Sequence, residues 1–499
     1  MNTDPDSSLG ISTSFCASPP QNISLNRRAF LLRSATALGG CAYCLGCSPV
    51  WAARAEPKGS PLLSPGCRRS RVKVARVYLG KPDAHWPTPK LDLNAERRSY
   101  EADFAKMHDA FADIGFTVDE LVTDKKQVEG LAERLKSADG ILLIHLSMGM
   151  QETIEAILAC GRPTALFAAP YSGHEWSQLG AIRQKPVGKR LECFLTSDRS
   201  QLAAAVRPFR AIHHPREAKI LNVTERARDE AKTQAWQAKY GTEFKTLDRQ
   251  RMLAAYEAVS WEDAATEARR WVHQAAKVVE PSREEIIRSC RLALAFENLL
   301  AEENATVITV DCYGTMYRKL PAFPCVGFVR LNDLGLGGIC ESDLTSAMTY
   351  IILQGLSGRP GFISDPTVDE ATNSLILAHC LGTRRMDGPR GKAAPYRLRT
   401  IMERQEGCVP QVFMRRGQRV TQAWLATAET LSYFTGEIIA VPDSDRGCRT
   451  QIKVRVDGNV TKVWQNWAHG LHRLTCYGDL TGDLERFCRY TDLAFVNEA

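Results

Sequence analysis

Gly140-Ile-Leu-Leu-Ile-His-Leu146 is an unbroken apolar run flanked by stretches of helical spacing. A run this short and this apolar is buried on both faces, the mark of a parallel strand. Parallel strands need a crossover between them, so this run commits its neighbourhood to strand–helix–strand units. The surrounding sequence supplies them. Residues 72–79 alternate β-branched side chains and read as a strand. Residues 95–114 place Phe104, Met107, Phe111 and Ile114 at helical spacing ahead of Gly115. A short strand is expected at 118–122, helices at 128–135 and 152–160, and another strand at 163–169. This rhythm predicts a doubly wound α/β domain over residues 70–215.

Lys219-Ile-Leu-Asn-Val-Thr224 opens a second unit, residues 216–335. Helical spacing recurs at 228–239, 249–257, 261–278 and 282–303, and an apolar strand at 305–310 runs into Asp311. Ligands gather beyond the carboxyl ends of parallel strands, which makes Asp311 a candidate pocket residue. At 499 residues the chain is too long for one core. A third domain is expected at 336–499. It has a helix at 341–356, a short strand at 362–364, and a β-rich, barrel-like part after 409, where alternation returns before the Asp457-Gly458 turn signal. The fold class is therefore α/β: two doubly wound α/β domains followed by a C-terminal α+β domain.

The N-terminus carries an address. Asn26-Arg27-Arg28-Ala29-Phe30-Leu31-Leu32 is a twin-arginine core, followed by a short apolar stretch and the small-x-small site Ala53-Arg54-Ala55. Residues 1–57 are expected to be a Tat signal and linker that engages the Tat translocase and exports the folded chain to the periplasm. A retained membrane anchor and a lipoprotein joined at Cys41 are alternatives, and the chain stays cytoplasmic if the signal is not functional. The net charge of +7 is mild, and Lys and Arg form no long basic run, so no nucleic-acid partner is expected. None of the cysteines beyond the leader forms a CxxC pair. That spacing argues against a zinc ribbon or an iron–sulfur cluster and leaves buried free thiols as the expectation.

The chemistry concentrates further on. Gly-Gly-Ile-Cys-Glu341-Ser-Asp343-Leu and Gly-Arg-Pro-Gly-Phe-Ile-Ser-Asp365-Pro carry two carboxylates 24 positions apart, each close to Gly or Pro. His379 and the pair His469 and His472 lie downstream. Two carboxylates and an imidazole suit Mn²⁺ or another divalent cation. Taken singly, Glu341 and Asp343 fit a helix N-terminus, Asp365 a turn before Pro366, and His379 an apolar core. Taken together they read as a site.

These motifs, with Ala-His379-Cys380, Gly447-Cys-Arg449-Thr and His472-Arg-Leu-Thr-Cys-Tyr-Gly478-Asp479, resemble the L-fucose/L-arabinose isomerase superfamily, in particular its L-fucose isomerase-like branch, over roughly residues 72–495. The resemblance implies a Mn²⁺-dependent ketol isomerase that interconverts an aldose and a ketose through a cis-enediolate. It implies Glu341, Asp365 and His472 as metal ligands, with His469 as runner-up for the histidine. Glu341 and Asp365 would also move the proton between C2 and C1. Asp311 and His379 would line the pocket, and Arg449 would touch a substrate oxygen. The family's members are homo-oligomers, so a trimer or hexamer acting on a monosaccharide is expected. Two rivals stand beside this reading: a non-catalytic carbohydrate-binding protein on an isomerase scaffold, and a related sugar lyase or epimerase.

Overall fold

The computed structural model describes residues 70–173, 175–227, 229–468 and 470–499. The Tat reading of residues 1–57 and the candidate ligand His469 lie outside the described residues. Everything described belongs to one unit, Ser60–Ala499.

Five parallel strands come first: Val72–Leu79 (β1), Ile114–Val122 (β2), Gly140–His145 (β3), Thr164–Ala168 (β4) and Leu191–Leu195 (β5). They order β2-β1-β3-β4-β5, a doubly wound arrangement. All six residues of β3 are buried, as its unbroken apolar run requires. The helix read over 95–114 is shorter. It spans Leu93–Lys106 under an Asp92 cap, a 3₁₀ turn follows at His108–Phe111, and β2 already starts at Ile114. The helical spacing of Phe104 and Phe111 serves another purpose: with Phe116 they form an aromatic cluster, with centroids 4.9 and 5.7 Å from Phe104.

Next come Lys219–Val223 (β6), Glu243–Leu247 (β7), the two-residue Lys277–Val278 (β8), Val307–Val310 (β9) and Gly337–Cys340 (β10). Four of these make a second parallel sheet, β10-β9-β6-β7. The long helix Arg283–Glu302 starts from a reciprocal capping box between Ser282 and Glu285 and buries one face on the core.

The remaining strands are Phe362–Asp369 (β11), Ser374–His379 (β12), Tyr396–Arg399 (β13), Val409–Val412 (β14), Arg419–Thr427 (β15), Thr430–Ala440 (β16), Thr450–Val456 (β17), Arg473–Tyr477 (β18) and Ala494–Asn497 (β19). Six of them run β15-β18-β11-β12-β17-β16, and the β15–β16 pairing closes the ring into an antiparallel barrel. Closure removes the sheet edges that would otherwise be exposed. β19 adds alongside β16, and β14-β13-β8 form a small separate sheet. The chain is thus mixed α/β, with parallel sheets first and an antiparallel barrel in its C-terminal part. Leu375, Leu377, Ile438, Ile452, Val454 and Leu474 are fully buried in the barrel.

Helix Leu344–Ser357 joins β10 to the barrel and packs on helix Arg207–Glu217. Gly355 makes that approach possible, since a Cβ there would lie 2.7 Å from the Ala211 Cα. The helix starts at Leu344 and not at Glu341 as the sequence suggested. Glu341 and Ser342 have φ of 62° and 59°, left-handed values that no α-helix contains. Asp365 also departs from expectation: it sits inside β11 and pairs with Ala378 of β12, so it is not a turn residue at a strand end.

Candidate metal centre

Four chain segments converge at the mouth of the barrel. Glu341 follows β10, at the carboxyl end of a parallel strand, and its left-handed backbone reverses the chain ahead of the next helix. Asp343 caps that helix, accepting from the Ser346 amide at 3.0 Å and the Ser346 hydroxyl at 2.6 Å. Antiparallel register supplies the rest. Ser364 of β11 pairs with Arg473 of β18, so the next positions along, Asp365 and His472, stand opposite each other. His379 ends β12, one position beyond Ala378, the partner of Asp365.

The resulting group is tight. His472 Nε2 lies 3.2 Å from Asp365 Oδ1 and 3.7 Å from Glu341 Oε2. Its other nitrogen, Nδ1, lies 3.0 Å from Asp343 Oδ2. A carboxylate only accepts, so Nδ1 carries a proton and Nε2 turns toward Glu341 and Asp365. His379 Nε2 is 3.4 Å from His472 Nε2 and 3.1 Å from Cys340 Sγ. The Cys380 amide donates to His379 Nδ1 at 2.8 Å, which leaves the single proton of a neutral His379 on Nε2.

Burial sets the protonation of the group. It pushes Glu341 and Asp365 above the ordinary carboxylate range, and the neighbouring carboxylates add to this while His472 opposes it. Burial would also raise Asp343, but the hydrogen bonds from His472 and Ser346 outweigh it and hold Asp343 low. For His472 the order is reversed: burial lowers its proton affinity, and Asp343, Asp365 and Glu341 together raise it above the usual value. His379 is driven well below the ordinary histidine range, first by burial and then by His472, and is neutral.

The donors suit a hard or borderline divalent cation. Asp365 Oδ1 is buried and makes no well-aligned hydrogen bond; it faces His472 Nε2 at 3.2 Å, and a cation held by both would satisfy it. His472 has the arrangement of a histidine ligand, with one nitrogen fixed by a carboxylate and the other presented to anionic oxygens. A cation and the second imidazole proton compete for that same nitrogen. Cys340, Glu341, His379 and His472 together offer donor atoms within 4.8 Å of one another. An open cleft of about 400 Å³ leads to the group, walled by Lys232, Thr345, Trp424 and Leu471 as well as by Glu341, Asp343 and His472.

Two sequence candidates stand apart. Asp311 is 1% exposed, and its Oδ2 accepts from the Thr224 hydroxyl, the Thr315 amide and the Thr315 hydroxyl and pairs with Arg226 at 2.9 Å. That carboxylate is occupied in tying the turn after β9 to the end of β6. Arg449 is buried against the Thr400 carbonyl at 2.9 Å and Asp445 at 2.5 Å, where it braces the loop before β17. Cys340, Lys232 and Trp424 were not singled out by the sequence, because a cysteine, a lysine and a tryptophan inside ordinary elements carry no local signal. Asp343 was visible, but only as a helix cap.

No family model matches the chain. Two curated proteins, both named sulfoquinovose isomerase, are similar to parts of it. The one from Alkalicoccus urumqiensis is 30% identical over 95 residues, 19% of this chain and 21% of that protein. The one from Clostridium sp. (strain MSTE9) is 24% identical over 147 residues, 28% of this chain and 32% of that protein. The chain thus aligns with between a fifth and a third of the length of these relatives. The weak, partial kinship is to sugar isomerases. Among the described residues no helix is long and apolar enough to cross a membrane.

Proposed function

We propose that this chain is an aldose–ketose isomerase that holds a divalent cation, Mn²⁺ in the first instance, through Glu341, Asp365 and His472. The observation that carries the reading is His472, pinned by Asp343 on one nitrogen and facing two carboxylates with the other. When bound, a divalent cation supplies Lewis-acid stabilisation for negative charge on adjacent sugar oxygens. The protein residues supply the rest. A carboxyl oxygen of Glu341 or Asp365 takes the C2 proton of the open-chain sugar and returns it at C1. His379, neutral with its proton on Nε2, donates toward a sugar oxygen at the inner wall. Trp424 offers an apolar surface to the sugar carbons.

The two relatives' shared name makes sulfoquinovose the first substrate to try, and Lys232 is a cation on the cleft wall that can meet a sulfonate. L-Fucose is the second, from the motif resemblance. We also read the assembly as a homo-oligomer, trimer or hexamer, and the leader as a Tat signal that sends the folded protein to the periplasm. Replacing Arg27 and Arg28 with Lys should then hold the protein in the cytoplasm.

The decisive experiment incubates purified protein with Mn²⁺ and each sugar in deuterated water and follows C2 deuteration and ketose formation by NMR. Turnover that disappears in Glu341→Gln and Asp365→Asn, together with the bound Mn²⁺, supports the reading. Sugar binding without exchange at C2 would replace it with the carbohydrate-binding alternative. Exchange at C2 that yields an epimer and no ketose would replace it with an epimerase.

A further inference from the structure

We propose that Cys380, Cys448 and Glu403 form a second metal site, for a thiophilic divalent cation such as Zn²⁺, distinct from the group around His472. The three residues come from three separated segments. Cys380 follows β12, Glu403 lies in the loop between β13 and β14, and Cys448 lies in the loop before β17. Cysteine spacing along the chain gives no hint of the group, because the two thiols are not close in sequence.

The distances are those of a coordination shell. The Cys380 and Cys448 sulfurs are 3.7 Å apart, and Cys448 Sγ is 3.2 Å from Glu403 Oε1. Donor atoms of these three residues all lie within 4.8 Å of one another. Two thiolates about 2.3 Å from a tetrahedral Zn²⁺ lie roughly 3.8 Å apart, so the sulfurs already have that separation. A disulfide would require about 2.05 Å. The Cys325 thiol is a buried neighbour of Cys380, outside the three-donor group, so two sulfurs and one oxygen would hold the ion and leave a position for water.

The surroundings suit an ion as well. The Tyr313 hydroxyl donates to the other Glu403 oxygen, Oε2, at 3.3 Å, which orients the carboxylate toward the sulfurs. Cys325 and Cys380 are buried, Cys448 is half-buried and Glu403 is exposed, so the site has a closed floor and an open entrance. Binding displaces one proton from each of the two thiols to solvent. Sulfur donors select a softer ion than the carboxylate-rich group around His472, so two different metals can occupy the two sites in one chain. An ion here would fasten three loops to one another, right beside His379.

The test uses the full chain, stripped with a chelator and reloaded. Zn²⁺ should bind at about one ion per chain even in the Glu341→Gln/Asp365→Asn double variant, and Co²⁺ should give thiolate-to-cobalt charge-transfer absorption in that variant. Cys448→Ser and Glu403→Gln should each weaken Zn²⁺ binding by roughly 10- to 100-fold. Glu403 is exposed, so its variant keeps the answer available if the cysteine variant fails to fold. Three results would each overturn the proposal: no charge-transfer band with Co²⁺, equal Zn²⁺ affinity in the parent and both single variants, or a Cys380–Cys448 disulfide in peptide maps of freshly purified protein.

Discussion

Asp343 accepts the Nδ1 proton of His472 at 3.0 Å while its side chain also caps helix Leu344–Ser357. One carboxylate thus fixes the start of a buried helix and the orientation of an imidazole just ahead of β18, 129 positions away. The two roles can be separated by substitution. Asn caps a helix about as well as Asp but is a weaker acceptor for an imidazole N–H. Asp343→Asn should therefore leave the melting temperature nearly unchanged and weaken Mn²⁺ binding by roughly 10- to 100-fold. Asp343→Ala should lose the cap as well, costing about 1 kcal/mol of stability. Calorimetric Mn²⁺ titration and thermal unfolding of both variants check this. Unchanged Mn²⁺ affinity in Asp343→Asn would remove the orienting role.

His379 supplies the second prediction. The Cys380 amide occupies its Nδ1, and burial beside His472 keeps it neutral. Its Nε2–H is therefore a proton donor and not a free lone pair. His379→Gln should retain full Mn²⁺ occupancy and lower kcat by about 10²-fold with little change in KM, the size expected for loss of one positioned proton donor. Metal analysis beside steady-state kinetics decides it. A large loss of Mn²⁺ would make His379 a ligand.

The parts of this arrangement legible in the sequence were those with a local signature. The apolar run of β3 announced itself because every position is buried, and β1 was read from its β-branched side chains, all of it but Lys73 being buried. Glu341 and Asp365 stood out as carboxylates close to Gly and Pro, and His472 through the motif resemblance. The pairing that joins them was not legible. That His472 stands opposite Asp365 depends on the β11–β18 register, set by barrel closure across more than 100 residues. Of β11 only residues 362–364 were read as strand, because Asp, Pro and Thr beyond them hide its pattern, and β12 was missed. Asp311 was selected by a sound rule about strand ends. The structure uses that end for a different task, because Thr224 and Thr315 take its carboxylate.

The reversed backbone before the helix gives a third prediction. Ser342 has a φ of 59°, and its hydroxyl donates to Asn222 Oδ1 at 2.6 Å, tying the turn to β6. Ser342→Gly relieves the left-handed backbone but loses the hydrogen bond, so stability should change by less than about 1 kcal/mol. Ser342→Val keeps the unfavourable backbone with a branched side chain and also loses the bond. It should cost about 2–3 kcal/mol and displace Glu341, lowering Mn²⁺ affinity. Denaturant unfolding and Mn²⁺ titration test the pair. Equal stability for the two variants would show that the turn carries no strain.

A pH effect is expected far from the cleft, at Asp139 ahead of β3. Its carboxylate is 2% exposed, accepts from the Lys73 amide at 2.8 Å, lies 2.7 Å from His213 Nδ1 and pairs with Arg216. Burial alone would raise its proton affinity. The His213 hydrogen bond and charge, the Lys73 amide and Arg216 outweigh burial and hold Asp139 below the ordinary carboxylate value. A carboxylate lowered in the folded state binds its proton more readily when unfolded, so it stabilises the fold above the unfolded value of about 3.9. That contribution fades as pH falls through the lower folded value. Asp139→Asn should cost roughly 2 kcal/mol at pH 7, the scale of a charge-assisted hydrogen-bond network. The gap between variant and parent should narrow steadily as pH falls below about 4, where the unfolded chain takes up its proton first, and close once the folded carboxylate is protonated too. Urea unfolding of both proteins across the acid range measures the gap directly. A gap that stays constant down to the lowest pH at which the parent folds would show that the ion pairs of Asp139 contribute nothing, and that only its shape matters there.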